Sequence, residues 1–238
     1  MRINKYLSEC GYCSRREADR LIEEGQIWIN GRTAEKGAQV EDGDEVTVNG
    51  RLIQPPAEHT YLAFHKPRGV ICTLSDKEGK SLKDYLKRPG HITYAGRLDK
   101  ESEGLLLLTD DGDLIDRLMT GRYGHEKEYV VTVKGELTKE KIERMQKGMH
   151  LEEIGRDTRP CRAWISKEQE FHIVLTEGIN RQIRRMCKAL HLQVLKLQRI
   201  RVENIELGDL KSGEFRKLKK KETEELLKRA GMEHAGNG

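Results

Sequence analysis

The stretch Ala95-Gly96-Arg97-Leu98-Asp99-Lys100-Glu101-Ser102-Glu103-Gly104-Leu105-Leu106-Leu107-Leu108-Thr109 decides how the rest of this 238-residue chain is read. Four leucines follow a glycine and end at the turn signal Asp110-Asp111-Gly112. A short apolar run bounded in this way predicts a strand buried on both faces. Just before it lies a polar loop in which Leu98 sits beside Asp99. A carboxylate on a loop braced by a core strand is held rigidly while still reaching solvent or substrate, which is where chemistry is usually placed. Composition alone leaves a second reading open, that of an ordinary turn aspartate.

Charged residues make up 35% of the chain and hydrophobic ones 36%, so the core is limited. The length allows one sizeable domain and a small one. No run approaches the ~18 apolar residues of a membrane helix, and the N-terminus lacks the apolar region of a signal peptide. Five cysteines at irregular spacing argue for a reducing compartment, so the cytoplasm is expected. A net charge of +4 decides nothing by itself. Its distribution says more: Asn180 to Val202 holds no acid but carries Arg181, Arg184, Arg185, Lys188, Lys196, Arg199 and Arg201. Such a block reads as an electrostatic footprint for a polyanion.

At the N-terminus, Arg2 to Cys10 predicts a short helix. Ser14-Arg15-Arg16-Glu17 is a capping-box sequence opening a second, which Gly25 ends. Lys5, Arg15, Arg16 and Arg20 remain free of its apolar stripe. Ile27-Trp28-Ile29, the hairpin signal Asn30-Gly31 and Glu45 to Val48 complete a small sheet. Cys10 and Cys13 have no second Cys/His pair at suitable spacing and are expected to pack inside the helical hairpin. Pro55-Pro56-Ala57-Glu58 marks a stiff linker.

The larger domain opens with a strand at Tyr61 to Phe64, a turn at His65 to Gly69, and a strand at Val70 to Thr73; Leu82 to Leu86 suggests a brief helix. Asp110 to Asp113 is read as a turn whose last aspartate caps a helix from Leu114 to Met119, in preference to a metal site. Tyr129, Val131 and Val133 face one way along a strand, and Thr138 caps a helix to about Lys147. Strands are expected at Arg162 to Ile165, Phe171 to Leu175 and Gln193 to Leu197. In the basic block, 100° per residue puts Ile183, Met186, Cys187 and Leu190 on one side of a helix and Arg181, Arg184, Arg185 and Lys188 on the other. Gly213 to Leu218 ends the sheet, and a last amphipathic helix follows Lys219 to Lys221. Strands separated by hairpins and single helices predict an α+β fold with a mainly antiparallel sheet. The domains expected are 1–54 and 60–230, with 231–238 a disordered tail.

Gly96-Arg97-Leu98-Asp99 with Gly104 to Thr109, then His125-Glu126-Lys127-Glu128-Tyr129, then Thr176-Glu177-Gly178-Ile179-Asn180-Arg181-Gln182-Ile183-Arg184-Arg185-Met186, resembles in order the three motifs of the RNA pseudouridine synthases. The likeness is greatest to the ribosomal branch that carries an N-terminal RNA-binding module, and within it to the large-subunit synthase F branch. The turn at Lys66-Pro67 resembles the family's element that supports the active-site loop. One departure is local: Tyr94-Ala95 enters the central motif where Pro-Val is usual. Residues 1–54 resemble the "S-four" module, whose helical pair presents basic side chains to RNA phosphates.

The resemblance implies that Asp99 is the catalytic carboxylate, Arg184 its guanidinium partner and Tyr129 the ring that stacks on the target uracil. Read from the residues alone, Arg184 serves equally as a phosphate contact and Tyr129 as core. RNA contacts are expected from Lys5, Arg15, Arg16, Arg20, Arg97, Lys100, Arg181, Arg185 and Lys188. The isomerisation needs no redox change and no added group, so neither cofactor nor metal is expected. The partner implied is ribosomal RNA, most of all that of the large subunit, with transfer RNA a further substrate left open, and the protein is expected to be a monomer. Competing readings are a small-subunit or transfer RNA synthase and a non-catalytic ribosome-associated RNA-binding protein.

Overall fold

The computed structural model describes residues 1–56, 58–74, 79–86 and 92–232. Ala57 of the expected linker, Gly90 and His91 before the central motif, and residues 233–238 of the expected tail lie outside them. The chain divides into two compact units, the first built mainly from Met1–Thr60 and the second from Tyr61 onward. No helix among the described residues is long and apolar enough to cross a membrane.

In the first unit, α1 (Ile3–Glu9) and α2 (Arg15–Glu23) end alike. The amides of Gly11 and Tyr12 donate to Ser8 and Leu7, and those of Gly25 and Gln26 to Ile22 and Leu21. These are Schellman closures, and both glycines take the positive φ that the motif requires. Ser14 accepts from the Glu17 amide at 3.2 Å, which is half of the expected box; the Glu17 carboxylate turns to Arg20 instead. β1 (Ile27–Ile29) and β2 (Arg32–Thr33) pair across Asn30-Gly31, both with positive φ, as a type I′ hairpin demands. β3 (Val46–Val48) and β4 (Arg51–Ile53) repeat the device at Asn49-Gly50, a second hairpin the sequence reading passed over. The sheet order is β2-β1-β3-β4. Ile3, Leu7, Ala18, Ile22, Ile27 and Val46 fill its core, with Cys10 and Cys13 packed against it. Burial pushes both thiols up to about 11, so they stay protonated at neutral pH.

The second unit contains β5 (Tyr61–Lys66), β6 (Thr93–Ala95), β7 (Glu103–Thr109), α3 (Gly112–Met119), β8 (Lys127–Lys134), α4 (Lys139–Lys147), β9 (His150–Leu151), β10 (Arg156–Asp157), β11 (Arg162–Lys167), β12 (Glu170–Leu175), α5 (Gln182–Ala189), β13 (Gln193–Val202), β14 (Ile205–Glu206), β15 (Phe215–Lys217) and α6 (Lys220–Arg229). Its main sheet runs β11-β12-β8-β13-β7-β5-β15 among the described residues. Leu105 to Leu108 are all buried, which stabilises the strand by about 2 kcal/mol per side chain. Val131, Val133, Ile183, Met186 and Cys187 share one apolar cluster; Leu105, Leu107, Leu114, Leu118 and Leu226 share another.

Two local expectations are corrected. Val70 to Thr73 is not a strand: the Ile71 amide donates to Lys80, and the Ile71 carbonyl accepts from Thr73 and Leu82, so its hydrogen bonds go to neighbouring loop backbone. α3 starts at Gly112, which places Asp113 in its first turn rather than at the cap. The β13–β7 pair is parallel, whereas most others are antiparallel. A parallel neighbour is what a strand apolar on both faces suits.

Candidate active site

The loop before β7 is braced from three directions. Lys66, with 0% exposure, donates its Nζ hydrogens to the carbonyls of Ser102 at 2.8 Å and Pro67 at 2.9 Å. The Gly69 amide donates to the Lys100 carbonyl at 2.7 Å, and that of Leu98 points to Cys72 Sγ at 3.4 Å. Within the loop the Ser102 amide closes a turn on the Asp99 carbonyl at 3.0 Å. Burial holds the Lys66 ammonium below the usual lysine range, with Cys72 and Asp99 opposing the shift. The Lys66-Pro67 turn, whose likeness implies support for the active-site loop, supplies that support through this buried ammonium.

Asp99 faces two guanidiniums rather than the single one expected. Its Oδ2 lies 3.7 Å from Arg181 Nη1 and 3.8 Å from Arg184 Nε. Both distances exceed a hydrogen bond, and the carboxylate keeps 28% exposure. Its lone pairs therefore remain available to a ligand. Arg184, 16% exposed at its side chain, donates Nη2 to the Glu101 carbonyl and to Ser102 Oγ, each at 3.3 Å. Its Nε is buried without a hydrogen-bond acceptor. Burial first, and Arg181 second, lower its affinity for a proton. Arg181 occupies the N-cap of α5 with φ of 55° and also reaches Glu101 at 3.1 Å. That bond is the main reason the Glu101 carboxyl lies below its ordinary range.

Tyr129 is half-buried on β8, where it packs on the apolar cluster beneath α5. Its hydroxyl has no hydrogen-bond partner among the described residues, and it makes no direct bond to Asp99. The sheet relates the two indirectly. Tyr129 stands opposite Arg199 on β13, and Arg199 opposite Gly104 on β7. Two strand spacings separate Tyr129 from Gly104, about 10 Å. Arg199, 1% exposed, donates Nε to the Leu105 carbonyl at 2.7 Å, and its Nη1 comes within 3.7 Å of where a Cβ on Gly96 would stand.

The basic block is acid-free only along the chain. Arg185 and Lys188 pair with Glu153, Lys196 with Glu103, and Arg201 with Glu126 and Glu128. Arg199, counted in that footprint, is interior. Each acid comes from a distant segment, which no local charge pattern can reveal. Arg181, Arg184, Arg185 and Lys188 nonetheless line a cavity of about 430 Å³. Arg97 and Lys100, flanking Asp99, are exposed and unpaired among the described residues. In the first unit Arg15 and Arg16 are likewise exposed and unpaired, while Lys5 pairs with Glu9, and Arg20 with Glu17 and Glu24.

A carboxylate between guanidiniums, open to a ligand and held on a rigid loop, suits attack on a sugar carbon or removal of a sugar proton. A profile of the RNA pseudouridylate synthase family matches residues 60–189, and one of the S4 domain matches residues 1–46. The chain belongs to the RNA pseudouridine synthase family. It is 43% identical over 230 residues to the dual-specificity RNA pseudouridine synthase RluF of Escherichia coli K12, covering 96% of this chain and 79% of that one. It is 39% identical to ribosomal large subunit pseudouridine synthase B of Bacillus subtilis 168, covering 99% and 98%. A crystal structure of a pseudouridylate synthase superimposes with a TM-score of 0.71 at 28% identity, over 95% of this synthase and 99% of that chain. The synthase thus joins an S4 RNA-binding domain to an RNA-modifying enzyme.

Proposed function

We propose that this synthase converts a uridine of large-subunit ribosomal RNA to pseudouridine, with Asp99 as its catalytic residue. The observation that carries this reading is the Asp99 carboxylate between Arg181 and Arg184. Two guanidiniums beside the carboxylate complement its charge where substrate excludes water. Asp99 acts on the ribose, as nucleophile at C1′ or as base; the N1–C1′ bond breaks, the uracil turns within the site, and C5 bonds to C1′, displacing the Asp99 carboxylate in the first route or with return of the ribose proton in the second, while C5 loses a proton and N1 gains one. The base is never released, so no second carboxylate need serve a water, unlike a retaining glycosidase.

The uridine leaves its stack to reach Asp99. Tyr129, its hydroxyl unengaged, stacks on the extruded uracil, and Arg97 fills the vacated stack or, with Lys100, holds flanking phosphates. Arg181, Arg185 and Lys188 line the groove for the strand. Residues 1–54 serve as the RNA-anchoring domain, through Lys5, Arg15, Arg16 and Arg20, and 60–230 as the catalytic one. The protein acts as a monomer in the cytoplasm. Names of relatives that specify the large ribosomal subunit favour that substrate, and a relative named for dual specificity leaves room for a second RNA substrate, for which we propose transfer RNA.

The test is carbodiimide primer-extension mapping of ribosomal RNA from a deletion strain rescued by wild type or by Asp99→Asn. A large-subunit stop restored by wild type alone is expected. Restoration by Asp99→Asn overturns the role of Asp99, and a stop missing only from small-subunit or transfer RNA overturns the substrate.

A further inference from the structure

A second cavity, about 220 Å³, lies in the catalytic unit among Met119, His125, Lys127, Arg156, Arg159 and Glu177. It borders the central loop, because a Cβ on Gly96 would stand 3.1 Å from Met119 Sδ. Its charge is unbalanced. Arg156 is exposed without a partner among the described residues. Arg159 donates Nη1 to the Gly121 carbonyl at 3.0 Å and is only 3.9 Å from Glu177, whose carboxylate already accepts from Gln182 and the Arg159 amide. Lys127 donates to the carbonyls of Leu118 and His125. Burial and the nearby Arg199 push its ammonium down to about 8.

His125 supplies the second observation. It is 6% exposed, and its Nδ1 lies 3.0 Å from Glu203 Oε1. With Nδ1 hydrogen-bonded to that oxygen, Nε2 is the ring atom left for a ligand. The Glu126 amide fixes the same carboxylate oxygen at 2.8 Å. Nε2 is buried with no hydrogen-bond partner among the described residues, a costly state for a polar atom. Guanidiniums that only donate, beside an unengaged imidazole nitrogen, match a ligand joining an anion to a hydroxyl, which can donate or accept. A ribose phosphate has that pairing; a deoxyribose phosphate lacks its 2′-hydroxyl.

We propose that this cavity binds one ribonucleotide of the RNA substrate other than the target, with its phosphate on Arg156 and Arg159 and its 2′-hydroxyl hydrogen-bonded to His125 Nε2. This rests on the substrate being RNA, as above, and not on which RNA it is. The site reads the sugar of the strand while Asp99 works on a neighbouring residue.

The test titrates adenosine 5′-monophosphate and its 2′-deoxy analogue into the full chain, following the ¹⁵N resonance of His125 Nε2. The ribonucleotide should shift that resonance and bind about fivefold more tightly than the deoxy form; Arg156→Ala should weaken both alike. In steady state on RNA, Arg156→Ala should raise KM about tenfold, with the loss in KM and not in kcat. Equal affinity for the two nucleotides with an unmoved His125 resonance overturns the proposal, as does an unchanged KM. Expected titrations with no turnover of ribosomal RNA by wild type would leave the site standing and sink the substrate reading instead.

Discussion

Gly104 and Arg199 face each other across the parallel β7–β13 pair so closely that a Cβ on the glycine would stand 2.2 Å from the Arg199 carbonyl oxygen. Nothing on either backbone can yield without opening the sheet beside the Asp99 loop. Gly104 also has φ of 109°. Gly104→Ala should therefore cost at least ~3 kcal/mol, seen in denaturant unfolding, and should remove turnover even where the fold survives. An alanine variant of wild-type stability would contradict this packing.

The two guanidiniums at Asp99 are not equivalent. Arg184 is packed and bonded to the loop backbone, whereas Arg181 is more exposed and shared with Glu101. Arg184→Ala should lower kcat about 10²-fold, on the scale of losing one preorganised donor. Arg184→Lys should recover only part, since a point charge cannot keep the Glu101, Ser102 and Asp99 contacts together. Arg181→Ala should cost less. Single-turnover rates with saturating RNA separate these effects from affinity.

Lys127 gives a pH signature. Its folded pKa of about 8 lies below the unfolded value, so folding disfavours its protonated form. That cost is present in full below pH 8 and fades as pH rises towards 10.5, so stability gains with pH across this window. The gain is on the order of 2–3 kcal/mol. Unfolding free energies of wild type and Lys127→Met at pH 7.5 and 11 (about half a unit outside either end of the window between the folded and unfolded values) should differ more at the lower pH. A constant difference would show that the ammonium is not desolvated.

Arg199 is buried without a carboxylate partner among the described residues, and its Nη2 has no acceptor. Such a charge is a stability cost that an apolar side chain of similar length removes. Arg199→Met should hold or raise Tm while turnover falls at least about tenfold, because the guanidinium lies beside Gly96. Unchanged turnover would reduce Arg199 to a packing role.

Legibility followed range. The four-leucine strand, the Asn30-Gly31 hairpin, both N-terminal helices and the amphipathic α5 were readable because periodicity and turn chemistry act over a few residues. Asn49-Gly50 carried the same signal and was overlooked. The parallel β13–β7 pair was not readable, since a strand records its burial and not its neighbour's direction. At the site, Asp99 and Arg184 came from motif likeness, and their proximity is geometric fact. The support by Lys66 came from the likeness of its turn, whereas Arg181 beside Asp99 and Glu153 opposite Arg185 depend on segments about 30 to 80 residues apart in the chain, and local pattern has no access to them.

Sealing Lys66 under the loop has an operational consequence. Amine-directed reagents that label exposed lysines cannot reach an ammonium enclosed by two carbonyls. Its labelling rate would thus time the spontaneous loosening of the Asp99 turn, residue by residue, with the surface lysines as the internal clock.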